Sequence, residues 1–485
     1  MVNPKKNSIT KNIIHLFYST ALSSVLNAVA LIILASYLHS YYYGMFSVVL
    51  AFAMIMGYFT DAGLSTIVLR EGSKKEVDTS ILISSYVKVR LVLLAATFLC
   101  GFLIIHLSHS GNPELIRTAY FLIIPMVIGI ALQSIGTTYF QLMEKMQYYG
   151  LIRIVSAVGL VLTLSAGMIF RINPLMICTL YGISYFVAGI FGLYLVHKNV
   201  QICLSGPFHK GLLQNLGSFT LGGLLFVLLP QLGPLVLEKT MSLKDVGVFA
   251  VAYRIPQALQ QISFIVAGAY YPVMFRSFNN NFLDDHLRHN LALIKIISLV
   301  GMALTIPFYY MSGYVIHLLF GEKWIDAAFP LKILSVILTF QAINIALADG
   351  LTTRGLQLNR TIVQFISAFS GVFVYMSMSQ SFGVSGAAFA GVMIEVIALL
   401  GYWICIPNRW IMAKKVIIPY LSFFAICLGS IDYFLDSLPL LATGLNFILL
   451  VFVVLIDKES MEKINRYLKT AGFNHYWKSK KTEGG

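Results

Sequence analysis

The sequence predicts an all-α polytopic membrane protein with about fourteen transmembrane helices, and three observations predict it. The 485 residues are 58% hydrophobic and only 11% charged, with a mean hydropathy of +0.81. A soluble chain carries about 25% charged residues to solvate its surface. Apolar runs of about eighteen residues or more, each able to cross a bilayer as a helix, recur from one end to the other. A short motif also returns six spans later, entering the membrane in the same direction, as two units of parallel topology would.

The first span covers 12–36. It follows the basic start MVNPKKNSITKN, but it is too long for the apolar core of a cleaved leader and lacks a small-residue cleavage site. Spans over 43–63, 86–108, 116–141, 151–170 and 174–196 follow. Lys88 and Arg90 suit headgroup depth, so the third span is expected to start as an interfacial helix near 79. The seventh, 213–237, carries Pro230 and Pro234, with Gly217, Gly222 and Gly223 as further hinge candidates. The eighth, 246–275, is long and is expected to bend at Pro256 or Pro272. Spans over 291–311, 330–350, 361–382, 384–406, 414–431 and 438–456 complete the set. In the loop FGEKWIDAAFP, Trp324 and Phe329 read as aromatic-belt anchors. The basic tail DKESMEKINRYLKT is amphipathic and is expected to lie on inner headgroups. The segments between spans are too short for a folded extramembrane domain, which places function inside the helix bundle.

All but seven of the 34 Lys and Arg residues fall on the side of the N-terminus. Six lie on the other side, and one, Arg254, lies inside a span. Positive residues stay inside, so both termini are expected in the cytoplasm. This asymmetry, with attraction to anionic membrane lipids, accounts for the net charge of +14. No basic stripe sits on a soluble domain, so nucleic acid is excluded as a partner. The five cysteines form no CxxC or Cys/His cluster, and no disulfide framework or metal site is indicated. There is no phosphate-binding glycine loop, nucleophile elbow or paired carboxylate constellation. An enzyme is therefore not expected, nor are catalytic residues or a cofactor.

The repeat lies in Tyr43-Gly44-Met45-Phe46-Ser47-Val48 and Val246-Gly247-Val248-Phe249-Ala250-Val251, a shared x-G-x-F-small-V frame opening the second and eighth spans. The surrounding stretch YYYGMFSVVLAFAMIMGYFTDAGLSTIVLRE resembles the second-helix region of polysaccharide repeat-unit flippases of the Wzx type. These belong to the MATE/MOP superfamily, which also holds multidrug exporters and the peptidoglycan-precursor flippase. VGVFAVAYRI, FGEKWIDAAFPLKIL, LADGLTTRGLQLNR and GVSGAAFAGVMIE follow in family order. The resemblance implies two pseudo-symmetric six-helix lobes, 1–205 and 206–410, followed by two extra helices and the tail, 411–485. It implies transport of polyprenyl-diphosphate-linked oligosaccharide repeat units, for O-antigen or another surface polysaccharide, from the cytoplasmic to the periplasmic leaflet of a bacterial inner membrane. Helices 1, 2, 7 and 8 are then expected to line the cavity, and a polymerase and a chain-length regulator are the expected protein partners.

A charge at the centre of a membrane helix costs about 2.5–3.5 kcal/mol on insertion scales and usually faces protein or a wet cavity. Arg254 lies about nine residues into the eighth span, with Gln257 and Gln261 at i+3 and i+7 on the same face. Asn27 belongs to a polar stripe on the first span, and Gln231 follows Pro230. A guanidinium fork matches phosphate oxygens, so Arg254 is a candidate for the diphosphate, and Gln257, Gln261, Asn27 and Gln231 for sugar hydroxyls. The competing reading pairs Arg254 with Glu395, Asp349 or a carbonyl and leaves the amides as interhelical hydrogen bonds. Glu395, read as lying away from the cavity, and Asp61, read as a cap or a partner of Arg70, are the ion-coupling candidates. A small-cation exporter would want acids in the lumen, and the first, seventh and eighth spans offer none at depth. Peptidoglycan-precursor flippases carry a charged pair early in helix 1, which this first span lacks.

Overall fold

The computed structural model describes residues 9–74, 77–213 and 216–456, and among these it is helical with no strand. The expected tail helix and the basic residues Lys5 and Lys6 lie outside the described residues. Six long helices come first: α1 (Ile9–Tyr37), α2 (Ser40–Phe59), α3 (Thr79–His109), α4 (Pro113–Leu142), α5 (Met146–Ile169) and α6 (Pro174–His197). They pack mainly on one another, with α4 along α6 and α1 along α5. Glycine permits the closest approach, as small residues do between membrane helices. A Cβ on Gly129 would meet the Tyr185 backbone at 2.3 Å.

The second half repeats this plan with two breaks. α7 comprises Leu216–Leu228 and Leu232–Leu237, joined by a 3₁₀ turn over Leu229–Gln231. Pro230 in that turn brings no backbone N–H to a helical ladder. α8 (Leu243–Asn279) instead runs unbroken through Pro256 and Pro272, and with 37 residues it spans about 55 Å. α9 (Leu283–Tyr310) and α10 (Ala328–Ser335 and Ile337–Thr353) follow. The helix Gln357–Cys405 is 49 residues long, about twice a membrane crossing, and it breaks at Gly383 with φ 59° and ψ −140°. Its halves are α11 (357–382) and α12 (384–405). α13 (Ile418–Leu435) and α14 (Pro439–Ile456) lie against α9, where Tyr310 receives a bond from Asn446 Nδ2 (2.9 Å) and donates to the Leu428 carbonyl (3.0 Å).

Among the described residues, twelve helices are long and apolar enough to cross a membrane. Dividing the Gly383 helix and adding the broken α7 gives the fourteen crossings that the hydropathy predicts.

The lobes meet along α2 and α8. Their contact lies at the end that the charge count assigns to the outside, called the outer end below. The repeated glycines face each other there. A Cβ on Gly44 would sit 1.8 Å from the Leu243 carbonyl oxygen, and one on Gly247 would sit 2.1 Å from that of Ser40. The reciprocity is what a two-fold relation between the units requires.

Trp324 departs from its expected place in an aromatic belt. It is 1% exposed, donates Nε1–H to the Ala35 carbonyl of α1 at 2.9 Å and meets Tyr43 edge-on at 5.6 Å. Lys323 reaches the Ser36 and Leu38 carbonyls from the same turn. Phe329 remains exposed.

Candidate functional site

Beneath the glycine contact lies a cavity of about 450 Å³. The first lobe supplies Ser24, Asn27 and Ala28 from α1, Tyr43, Leu50 and Met54 from α2, Arg153 from α5, and Tyr181 and Tyr185 from α6. The second supplies Gln231 from the break in α7 and Arg254, Gln257 and Gln261 from α8. All five residues proposed from the sequence for substrate contact therefore face one space. The reason is geometric. Arg254 lies two turns below Gly247, and Gln257 and Gln261 continue the same helical face.

Arg254 donates from Nη1 to Gln257 Oε1 at 2.8 Å, while its buried Nε has no partner. Neither acid that could have paired with it does so. Asp349 is 3.4 Å from Arg360 Nη1, and Glu395 accepts from Gln341 Nε2 and Asn344 Nδ2, both at 2.8 Å. Among the described residues no carboxylate lines the cavity.

Arg153 was not legible as a cavity residue, because the hydropathy starts its span at 151 and leaves it among the inner basic residues. Helix α5 begins at Met146, so Arg153 lies about 10 Å along it. It donates to Thr20 Oγ1 at 3.4 Å, with its guanidinium 5.9 Å from the Tyr149 ring centre. The cavity thus carries one arginine from each lobe, amide side chains beside them and a tyrosine wall. This composition suits an anion with hydroxyl-rich surroundings.

The ion-coupling candidates lie elsewhere. Asp61 does not pair with Arg70, which pairs with Glu71 at 3.2 Å. Asp61 instead holds Arg90 Nη1 at 2.5 Å, and it accepts from Ser65 Oγ at 2.7 Å and Tyr86 OH at 3.0 Å. Arg90, expected at headgroup depth, is enclosed by protein. It is 2% exposed, about 16 Å along α3, and also donates to Ser134 and Thr60.

Glu395 lies away from the interlobe cavity, as expected, but it is not without a cavity of its own. It lines a second one, of about 130 Å³, inside the C-terminal lobe with Gln341, Asn344, Tyr253, Tyr375 and Arg360. The two amides that donate to it leave their own oxygens, Gln341 Oε1 and Asn344 Oδ1, buried and unpartnered.

Residues 9–278, more than half of the chain, match the family described as "Polysaccharide biosynthesis protein". No curated protein matches the sequence. Solved structures share the fold at low identity. A multidrug-resistance MATE family transporter of the MOP superfamily, in an inward-facing conformation, superposes with a TM-score of 0.68 at 15% identity, covering 81% of this chain and 96% of its own. The lipid II flippase MurJ, in an inward closed conformation, gives 0.66 at 14% identity over 91% and 98%. A MOP superfamily transporter from Pyrococcus furiosus, described as having a binding pocket of reverse polarity, gives 0.59 at 15% identity over 81% and 93%.

Proposed function

We propose that this chain, which belongs to the polysaccharide biosynthesis protein family, is a flippase for polyprenyl-diphosphate-linked oligosaccharide repeat units of O-antigen or another surface polysaccharide. It carries them from the cytoplasmic to the periplasmic leaflet of a bacterial inner membrane by alternating access, as a multi-pass protein with both termini in the cytoplasm. It works beside a polysaccharide polymerase and a chain-length regulator. One observation carries the reading: Arg153 and Arg254 face a single cavity from opposite lobes, with no carboxylate among its described lining residues. A diphosphate offers several oxygens to two guanidinium forks. Gln257, Gln261, Asn27 and Gln231 supply donors and acceptors for the adjoining sugars. An exporter of small cations fits this polarity poorly.

The test uses cells lacking the gene, whose polyprenyl-linked glycans are extracted and assigned to a leaflet by their accessibility to an impermeant glycosidase. A complete repeat unit accumulating on the cytoplasmic face, rescued by the wild-type chain but not by Arg254→Gln, is the expected result. Repeat units reaching the outer face normally would overturn the assignment.

A second reading concerns the driving ion. Glu395, rather than the arginine-paired Asp61, is the stronger coupling candidate, because two unpartnered amide oxygens lie beside its buried carboxylate. Glycan flipping into vesicles under imposed proton or sodium gradients should lose its gradient dependence in Glu395→Gln. An unchanged dependence would remove Glu395 from that role.

A further inference from the structure

A third interlobe contact closes the outer end away from the glycines and from the Trp324 turn. His109 is the last residue of α3, in the first lobe, and its side chain is 2% exposed. Its Nε2 lies 3.1 Å from Oε2 of Glu238, which caps the C-terminal end of α7 in the second lobe and is 13% exposed. The Phe52 ring of α2 packs edge-on against the imidazole at 5.6 Å. Lys239, about half exposed, completes the group. Its Nζ is 2.9 Å from the Ser108 carbonyl, 3.2 Å from Glu238 Oε2 and 3.3 Å from His109 Nε2.

Each charge here acts across the lobe boundary. The negative end of α3 favours a cation at His109, and the negative end of α7 disfavours a carboxylate at Glu238 unless a cation faces it. Lys239 gives Glu238 one such partner, but this lysine is solvated and has the Ser108 carbonyl as an alternative. The buried partner is His109. Histidine is the side chain whose charge changes in the range pH 5–8. Protonation puts a full positive charge on the donor of a bond whose acceptor is already ionised and so makes it an ion pair, and Lys239, a like charge facing the ring, can withdraw towards solvent.

We propose that His109 and Glu238 form a proton-binding latch between the lobes. With the proton the latch holds the outer end closed, and without it the lobes are freer to part there. Acid on the outer side would then favour the return of an emptied transporter to its outer-closed state. The inference rests on the alternating-access reading of the cavity.

Spin labels on exposed outer-end positions of the two lobes, Phe170→Cys and Ser381→Cys in an otherwise cysteine-free chain, report the separation by pulsed dipolar spectroscopy in lipid nanodiscs. From pH 8 to pH 5.5 the ratio of closed to open populations should rise about fivefold, the worth of an ion pair made only in the closed state. His109→Gln and Glu238→Gln should each flatten that response, so either variant suffices if the other fails to fold. Lys239→Ala should retain it. An undiminished pH response in both latch variants would overturn the latch while leaving alternating access standing. An outer end that stays closed at every pH in every variant would overturn both.

Discussion

At the scale of single residues, two arginines inside the helix bundle follow opposite rules. Arg254 has no ionised partner and one orphaned nitrogen in a cavity, so the structure leaves its charge free for a ligand. Arg90 is locked by Asp61, Tyr86, Ser134 and Thr60. Replacing Arg254 by Gln should weaken binding of a polyprenyl-diphosphate glycan by about ten- to a hundredfold, the worth of a hydrogen bond to a charged group, while barely changing thermal stability. Lys at 254 should recover part of the affinity, because it restores the charge but not the fork. Binding to the purified protein and melting in detergent separate the two effects. Arg90→Gln should do the reverse and lower stability by about 2–3 kcal/mol by leaving the partly buried Asp61 without its cation.

The sequence showed the Arg254 face because its members lie three and seven residues apart on one helix. It hid the setting of Arg90, whose partners other than Tyr86 stand outside its own helix, as far away in the chain as Ser134. It hid Arg153 for a related reason: hydropathy locates where a run becomes apolar, not where the helix begins. Trp324 was misread because an aromatic beside a polar loop has the same local signature whether it faces lipid or clasps a neighbouring helix.

At the scale of elements, the repeated glycine was legible as a motif, but its purpose was not. Only the packed structure shows that the first turns of α2 and α8 cross through Gly44 and Gly247 at backbone contact. Flexible side chains can yield, but here the obstructing atoms are carbonyl oxygens. Gly44→Val or Gly247→Val should therefore force the outer ends apart. A larger outer-end separation in the spin-label measurement, and loss of glycan flipping with folding retained, are the expected outcomes. A normal closed distance in both variants would show that the contact can be rebuilt elsewhere. The Gly383 break is another backbone requirement. Its φ of 59° with ψ of −140° lies in a region that is essentially glycine's alone, so Gly383→Ala should cost about 1–3 kcal/mol in melting experiments without touching either cavity.

At the scale of the whole molecule, the outer end is held by three separate contacts. The glycine crossing excludes side chains, the Trp324 and Lys323 clasp grips α1 carbonyls, and the His109–Glu238 pair joins α3 to α7. The arginine-bearing cavity lies beneath this end, between the lobes. A large hydrophilic headgroup confined there can leave outward only if all three contacts open together, which is a rigid-body movement of one lobe against the other. Tying the lobes together should therefore stop transport without abolishing binding. Cysteines at Ser36 and Lys323, bridged by a short reducible bis-thiosulfonate, would join α1 to the turn before α10. Flipping should cease on cross-linking and return on reduction, with glycan affinity from the inner side kept within about twofold, since a ligand binding one state equally well gains nothing from the other. Continued flipping by the bridged protein would mean that the glycan leaves by a route that does not part these lobes, and the closed outer end would then be packing rather than a gate.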